Sequence, residues 1–286
     1  MKKIWIGTGW KMNHLMSDAM QYADKLKEYC RNEQPSANIF ICVPFTVLHA
    51  VAEKLKDTPI RVASQNVHWL ERGAATGEIS PLMIRDAGAS MIEIGHSERR
   101  SMFAETDLMV NAKVIATLQN GLTALVCIGE TAQDKTLGVT LEKLANQIKI
   151  AFHSVPPAHA SHILVAYEPV WAIGDSGSPA TPEYANAIHE KIRLVLQDVF
   201  GEPSGKSIPI LYGGSVNPRN ALPLISMPAI DGLFIGRSAW NVEGFINIIT
   251  MAEKNSSKIM GNQSNPRNGA LIGIQPTSSD SANTIR

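Results

Sequence analysis

The sequence contains eight short apolar, β-branched runs, separated by segments with helical spacing. The runs cover 4–9, 38–43, 60–65, 91–95, 123–128, 163–168, 208–212 and 230–236. Most are continuously apolar rather than alternating, which is typical of parallel strands buried on both faces. Eight strands that alternate with helices fit either a closed (β/α)8 barrel or an open, doubly wound sheet.

Helix start signals lie between these runs. In residues 17–30 the apolar side chains form one stripe at helical spacing. Ser80-Pro81 and Thr181-Pro182 each place a capping hydroxyl before a proline at the first helical position. We therefore expect helices to begin at both prolines.

The first strand-to-helix turn decides between the two architectures. A dinucleotide-binding open sheet requires G-x-G-x-x-G there. The chain reads Gly7-Thr8-Gly9-Trp10-Lys11-Met12, with methionine in place of the third glycine. The sequence therefore predicts an α/β fold made of a single (β/α)8 barrel, and 286 residues are enough for such a barrel of about 250 residues.

The composition changes at residue 255. Residues 255–286 are dominated by Asn, Ser, Gly, Pro and Thr, and they hold too few apolar side chains to offset chain entropy. We predict a barrel domain over residues 1–254 and a flexible, disordered tail over residues 255–286. The alternative is that residues 270–274 dock on the barrel or on a neighbour.

Charge and cysteine usage exclude several classes of protein. The chain has 26 basic and 26 acidic side chains, which argues against a nucleic-acid partner. No apolar run approaches the roughly 18 residues of a membrane span, and no signal peptide is recognisable. Cys30, Cys42 and Cys127 are too widely spaced for a disulfide framework or a Cys-x-x-Cys metal site. We expect a cytoplasmic protein with no membrane partner and no metal.

Three of the predicted strands end in reactive side chains. Lys11 follows the first strand, His96 the fourth and Glu168 the sixth. Active sites of (β/α)8 barrels lie where the strands end, so these side chains are expected to converge. Each of them alone has an ordinary structural explanation, such as a solvated lysine or a buried ion pair. Together with the glycine-rich turns after the last three strands, they predict proton transfer on a phosphorylated substrate.

Seven motifs follow one another along the chain. They are Trp10-Lys11-Met12-Asn13, Gln65-Asn66-Val67, Thr76-Gly77-Glu78-Ile79-Ser80, Glu93-Ile94-Gly95-His96-Ser97-Glu98-Arg99-Arg100, Cys127-Ile128-Gly129-Glu130, Ala166-Tyr167-Glu168-Pro169-Val170-Trp171-Ala172-Ile173-Gly174 and Tyr212-Gly213-Gly214-Ser215-Val216. In these motifs the chain resembles the triosephosphate isomerase family from residue 2 to about residue 253. The resemblance implies an isomerase that works without a cofactor.

The resemblance also implies roles for the reactive residues. Glu168 would be the base that moves a proton between adjacent carbons, and His96 a neutral imidazole that polarises the enediolate oxygens. Lys11 would stabilise the developing negative charge. Glu98 would be an alternative acid near Lys11, although an ion pair with one of the two arginines that follow it fits equally well.

Further expectations concern the phosphate and the lid. The resemblance implies that backbone N–H groups at Gly174, Ser215 and Gly236 bind the phosphate. A lid over 169–180 would exclude water from the enediol, with its hinge at its first three residues. The lid residues so implied are Pro169, Val170, Trp171, Ala172, Ile173, Asp175, Ser176 and Gly177.

The loop 65–78 resembles the family's dimer loop. Thr76 would reach the Lys11 loop of a second copy, so the resemblance implies a homodimer. A large subunit interface would also account for a charged fraction of only 18%.

Three features around the substrate depart from the family pattern. Gly9 replaces an asparagine and is expected to leave space at the reacting end of the pocket. The lid is one residue longer and lacks its lysine. The glycine pair of the last turn becomes Gly236-Arg237, and Arg237 is either a surface ion-pair residue or a bidentate phosphate ligand.

These departures resemble the branch of the family that acts on erythrulose phosphates. Moving the carbonyl of L-erythrulose 1-phosphate to the next carbon gives D-erythrulose 4-phosphate through an enediol, and only an extra hydroxymethyl group must be housed, near Gly9. The sequence predicts this isomerase first. The alternatives are a triosephosphate isomerase and, more remotely, a non-catalytic sugar-phosphate sensor.

Overall fold

The computed structural model of the protein describes residues 3–173 and 179–263. Eight parallel strands pair in chain order and close into a barrel, because the first strand pairs with the second and with the eighth. The strands are β1 Trp5–Gly9, β2 Asn38–Val43, β3 Arg61–Ser64, β4 Met91–Ile94, β5 Thr123–Ile128, β6 Ile163–Tyr167, β7 Ile210–Tyr212 and β8 Gly232–Ile235. The predicted (β/α)8 barrel is confirmed, and each predicted run contains one strand.

Helices connect the strands and surround the barrel. They are α1 Met16–Glu33, α2 Phe45–Leu55, α3 Pro81–Asp86, α4 Ser97–Met102, α5 Asp107–Gln119, α6 Ala132–Thr136, α7 Thr140–Ala151, α8 Pro182–Phe200, α9 Glu202–Ser207, α10 Ala221–Ile225 and α11 Val242–Gln263. The Ser80 hydroxyl accepts a hydrogen bond from the Met83 N–H, and the Thr181 hydroxyl accepts one from the Tyr184 N–H. The two predicted capped starts, at α3 and α8, are confirmed.

Side chains alternate along each strand between the barrel interior and the helix layer. The interior is filled by Phe40, Cys42, Ala63, Met91, Leu125, Cys127, Leu164, Ala166, Leu211 and Phe234. In β4, Ile92 and Ile94 join the core under the helices, whereas Met91 lies inside the barrel. Glu93 is two residues beyond Met91, so a carboxylate lies on the inner face at the end where the strands finish.

The last helix runs beyond residue 254, where the predicted tail begins, and the division of the chain at that residue stays a prediction. The helix α11 continues to Gln263, so the first nine residues of the predicted tail, 255 through 263, are helical. Phe245, Ile248 and Ile249 are buried and anchor the start of this helix. Extending an anchored helix costs far less than nucleating one, so weakly helical residues continue it. Residues 264–286 lie outside the described residues. No helix in the described part of the chain has the length and apolar character that a bilayer span requires.

Candidate active site

A cavity of about 270 Å³ opens where the strands end. It is lined by Gly9, Lys11, Glu93, His96, Glu168, Ile173, Gly213, Gly214, Ser215, Val216, Phe234, Ile235, Gly236, Arg237, Ser238 and Trp240. The barrel therefore brings Lys11, His96 and Glu168 to one cavity from three separate strands. Seven of the nine residues predicted for catalysis or substrate binding line it.

His96 and Glu168 face each other across this cavity. The Nε2 atom of His96 lies 3.5 Å from Oε2 of Glu168, and both side chains are buried. The Nδ1 atom of His96 accepts a hydrogen bond from the backbone N–H of Glu98, 3.1 Å away. Because Nδ1 is the acceptor, the proton of a neutral imidazole is on Nε2, which faces the cavity. His96 can therefore donate a hydrogen bond to a substrate oxygen beside the Glu168 carboxylate.

Lys11 makes an ion pair with Glu98. Its Nζ atom lies 2.6 Å from Oε1 of Glu98, and the Glu98 side chain is half exposed at the mouth of the site. The two arginines that were the alternative partners of Glu98 pair with other carboxylates: Arg99 with Glu105, and Arg100 with Asp107. Glu98 is thus placed beside the reactive lysine rather than in a separate structural pair.

The Lys11 backbone is held in an uncommon conformation. Its φ is 54°, in the left-handed region that residues other than glycine seldom occupy. The side-chain amide of Asn13 donates to the carbonyl of Trp10, and the indole N–H of Trp240 donates to the carbonyl of Gly9. These bonds fix the turn on both sides of Lys11, so its cation is positioned by the main chain.

Glu168 lies against the turn after β7. A Cβ atom at position 213 would stand 2.7 Å from Cγ of Glu168, so only glycine leaves room for this carboxylate. Oε2 of Glu168 is buried and has no hydrogen-bond partner among the described residues. An unpaired carboxylate oxygen that faces an imidazole across a cavity is suited to accept a proton from a bound substrate.

The predicted phosphate ligands lie on the far side of the cavity from His96. Ser215 follows β7, and Gly236 and Arg237 follow β8; all three line the cavity. Arg237 was expected to be either a surface ion-pair residue or a phosphate ligand. Its position in the lining of the cavity agrees with a phosphate ligand. Gly174 lies outside the described residues, as do Asp175, Ser176 and Gly177 of the lid.

The described part of the predicted lid packs against a buried carboxylate. Pro169 precedes a single 3-10 turn of residues 170–172, and Ile173 lines the cavity. Oε1 of Glu130 accepts hydrogen bonds from the Trp171 indole, at 2.7 Å, and from the hydroxyls of Tyr167 and Tyr184. Glu130 therefore holds the predicted hinge, and the sequence did not reveal it because its partners are far away along the chain.

Thr76 is not part of this cavity. It is exposed near the tip of the loop that was predicted to reach a second copy, and the His68 N–H closes the base of that loop on the Ile79 carbonyl. A single chain does not bring Thr76 to Lys11. Its role in a dimer stays a prediction.

The sequence also missed Glu93, which lines the cavity beside Gly9. A Cβ at position 9 would stand 3.8 Å from Oε2 of Glu93 and 3.1 Å from Cζ of Phe234. The space expected at Gly9 is therefore partly taken by these two side chains. Burial raises the pKa of Glu93 to about 7. The nearby His96 lowers this pKa, and the Glu168 charge raises it. A carboxylate inside an apolar strand, three residues before the reactive histidine, was the available signal.

Three side chains of the site could also approach a cation. One ligand atom each from Glu93, His96 and Glu168 lies within 4.8 Å of the other two. A cation there would engage the imidazole and the carboxylate that face each other, and would block proton transfer between them and a substrate. That the site uses no metal stays a prediction.

Comparisons with known proteins agree with this geometry. The family model described as triosephosphate isomerase matches residues 4–252, which is most of the chain. The chain belongs to the triosephosphate isomerase family. It is therefore an isomerase built on this family's barrel, and the predicted family is confirmed.

Relatives within the triosephosphate isomerase family carry a more specific name. A protein of Rhizobium rhizogenes named L-erythrulose-1-phosphate isomerase is 46% identical over 260 residues, covering 91% of this chain and 97% of the relative. A protein of Brucella abortus with the same name is 46% identical over 250 residues, 87% of this chain and 96% of the relative. A crystal structure of triosephosphate isomerase from Bartonella henselae has 34% identity and a TM-score of 0.79, covering 87% of this chain and 98% of that one.

Proposed function

We propose that this member of the family interconverts L-erythrulose 1-phosphate and D-erythrulose 4-phosphate. The observation that carries the proposal is the convergence of Lys11, His96 and Glu168 on one cavity of a triosephosphate isomerase barrel. The tetrulose is favoured over the triose because relatives at 43–46% identity carry the tetrulose name, against 34% for the triosephosphate isomerase structure.

The proton transfer follows from the facing pair. Glu168 removes the proton from C3 of L-erythrulose 1-phosphate, and the electron pair of that bond forms the enediolate between C2 and C3. His96 Nε2–H and the Lys11 ammonium bind the two oxygens and stabilise their negative charge. Glu168 returns the proton to C2, while the C3 oxygen becomes the carbonyl and its proton passes to the C2 oxygen. The product is D-erythrulose 4-phosphate, numbered from the other end.

Phosphate binding is proposed at the opposite rim. Ser215 and Gly236 would donate backbone N–H groups, and the exposed Arg237 guanidinium would pair with the phosphate oxygens. Binding energy from this non-reacting end would hold the reacting carbons against Glu168. Lid closure from the Glu130 hinge would then exclude water from the enediolate.

We further propose that two copies form a dimer, with Thr76 of one copy at the Lys11 loop of the other. Met12, Met102 and Phe103 are 97%, 72% and 61% exposed. They line a second cavity of about 620 Å³ that shares Lys11, Glu93 and His96 with the first. Exposed apolar side chains gathered beside a reactive lysine support an interface between copies. Sedimentation velocity of the purified protein tests this: a monomer at micromolar concentration would contradict it.

The proposed compartment is the cytoplasm. Cys30, Cys42 and Cys127 are buried free thiols, which supports a reducing environment.

The test of the function is a comparison of kcat/KM on L-erythrulose 1-phosphate and on glyceraldehyde 3-phosphate. We expect a preference for the tetrulose of at least about tenfold, the scale that one well-placed substrate group supplies. A preference for the triose would replace the proposal with triosephosphate isomerase activity. Binding of both without turnover would replace it with a sugar-phosphate sensor.

A further inference from the structure

Glu93 is a buried carboxylate that the proton transfer does not use. Its side chain leaves the inner face of β4, is 4% exposed and lines the cavity beside His96. Apolar side chains and the thiols of Cys42 and Cys127 fill the barrel interior below it. Burying a carboxylate in such surroundings costs free energy unless a hydrogen-bond partner or an opposite charge is present.

The partners that the chain itself supplies are weak. Sγ of Cys127 lies 3.9 Å from Oε1 of Glu93, and the Cys42 thiol is the other hydrogen-bonding neighbour among the described residues. Thiols are poor donors, so the carboxyl group keeps most of its hydrogen-bonding capacity for a ligand.

The position of Glu93 selects which part of a substrate it can meet. In the closed ring, β4 is four strands from β8, so Glu93 lies across the barrel from Gly236 and Arg237. A sugar phosphate held with its phosphate at that rim would extend its other end toward β4. Gly9 borders Glu93 there, with 3.8 Å from its ideal Cβ position to Oε2.

We propose that Glu93 is a specificity residue that binds the C4 hydroxyl group of L-erythrulose 1-phosphate, which has no counterpart in a triose phosphate. This inference rests on the proposed function. Its pKa of about 7 leaves a large fraction of the carboxyl group protonated near neutral pH. A protonated carboxyl both donates to and accepts from a hydroxyl, which suits a single polar group at the end of a chain.

Selectivity follows from the weakness of these thiol partners. A triose phosphate would leave the Glu93 carboxyl without a strong partner, whereas the tetrulose hydroxyl satisfies it. Sites built to hydrogen-bond a substrate hydroxyl reject analogues without it far more strongly than apolar pockets reject a missing methylene.

The test uses two substitutions of Glu93 and three substrates, two of which differ by one atom. Glu93→Leu removes the polar group, and Glu93→Gln keeps both a donor and an acceptor at the same size. The substrates are L-erythrulose 1-phosphate and its 4-deoxy analogue, and dihydroxyacetone phosphate is a third. Met91→Leu, two residues earlier on the same face of β4, is the matched control.

We expect Glu93→Leu to lower kcat/KM for L-erythrulose 1-phosphate at least about tenfold, mainly through KM, and to change the values for the other two substrates less than about threefold. Glu93→Gln should keep most of the wild-type kcat/KM for L-erythrulose 1-phosphate. Met91→Leu should leave the ratios of kcat/KM between substrates unchanged. If Glu93 had a purely structural role, Glu93→Leu would lower kcat/KM equally for all three substrates. That result would overturn the proposal.

Two further outcomes separate this proposal from the proposed function. A wild-type protein that prefers triose phosphate overturns both. A wild-type protein that prefers the tetrulose but treats the 4-deoxy analogue within threefold of the full substrate overturns only the role of Glu93. That last comparison needs no variant, so it decides the question even where Glu93→Leu does not fold.

Discussion

Two buried glutamates at the same end of the barrel have opposite surroundings. Around Glu130, between β5 and α6, an indole N–H and two tyrosine hydroxyls converge on Oε1. Around Glu93, inside the barrel, the protein supplies only thiols as hydrogen-bond partners among the described residues. Both side chains are withdrawn from solvent. The difference is the number of donors that the fold provides.

The two carboxylates therefore have different roles. A carboxylate with several protein donors fixes the segments that carry those donors, here the turn at Trp171 and the start of α8. A carboxylate with poor partners, facing a cavity, is available to a ligand. Burial alone does not distinguish them, whereas the hydrogen-bond inventory does.

The largest effect is expected at Glu168, which is also buried. Glu168→Gln removes the base while keeping the shape of the side chain. We expect kcat to fall about 10²–10⁴-fold with the melting temperature little changed, because general base catalysis contributes that much. Steady-state assays with circular dichroism melts check this. Turnover within threefold of wild type would mean that another group takes the proton.

The next largest effect is expected at Glu130. Glu130→Ala leaves the Trp171 indole and the hydroxyls of Tyr167 and Tyr184 without their acceptor. We expect the free energy of unfolding to fall by about 2–4 kcal/mol, the cost of buried donors left unpaired. Denaturant titration measures it, and Glu130→Gln is the matched control because it keeps an acceptor oxygen. A loss below about 0.5 kcal/mol, on the order of a surface substitution, would show that Glu130 does not hold these segments in place.

The smallest effect concerns pH and Glu93. Its pKa rises from 4.5 in the unfolded chain to about 7 in the fold. Between these values the folded state keeps a proton that the unfolded state releases, so the free energy of unfolding falls as pH rises through this window. Relative to Glu93→Gln, wild type should lose about 2–3 kcal/mol between pH 5 and pH 8.

Denaturant titrations of wild type and Glu93→Gln at several pH values measure this difference. Because both proteins share every other titrating group, the difference isolates Glu93. Parallel stability curves across the window would show that the carboxyl group is as well solvated in the fold as in the unfolded chain.

Much of the fold was accessible from sequence because parallel barrel strands are buried on both faces. All eight runs contain strands, and the ends differ by two residues or fewer. The two capped helices were equally accessible, since Ser80-Pro81 and Thr181-Pro182 act within one turn. The length of α11 was not, because its continuation depends on how firmly its first turns are anchored.

The site divides in the same way. Lys11, His96 and Glu168 were found because each stands directly after a strand, and the fold brings strand ends together. Glu130 was missed because its donors come from residues 37 to 54 positions away, a relation that no local pattern carries. Glu93 was missed although the apolar run around it made it conspicuous.

The hydrogen bond from the Trp240 indole to the Gly9 carbonyl joins residues 231 positions apart, across the seam where β1 meets β8. Lys11 follows β1, whereas Trp240 follows β8, so the bond that braces the Lys11 turn forms only when the last strand has closed the ring. Nascent chains and truncated fragments therefore carry the reactive side chains without the ability to use them.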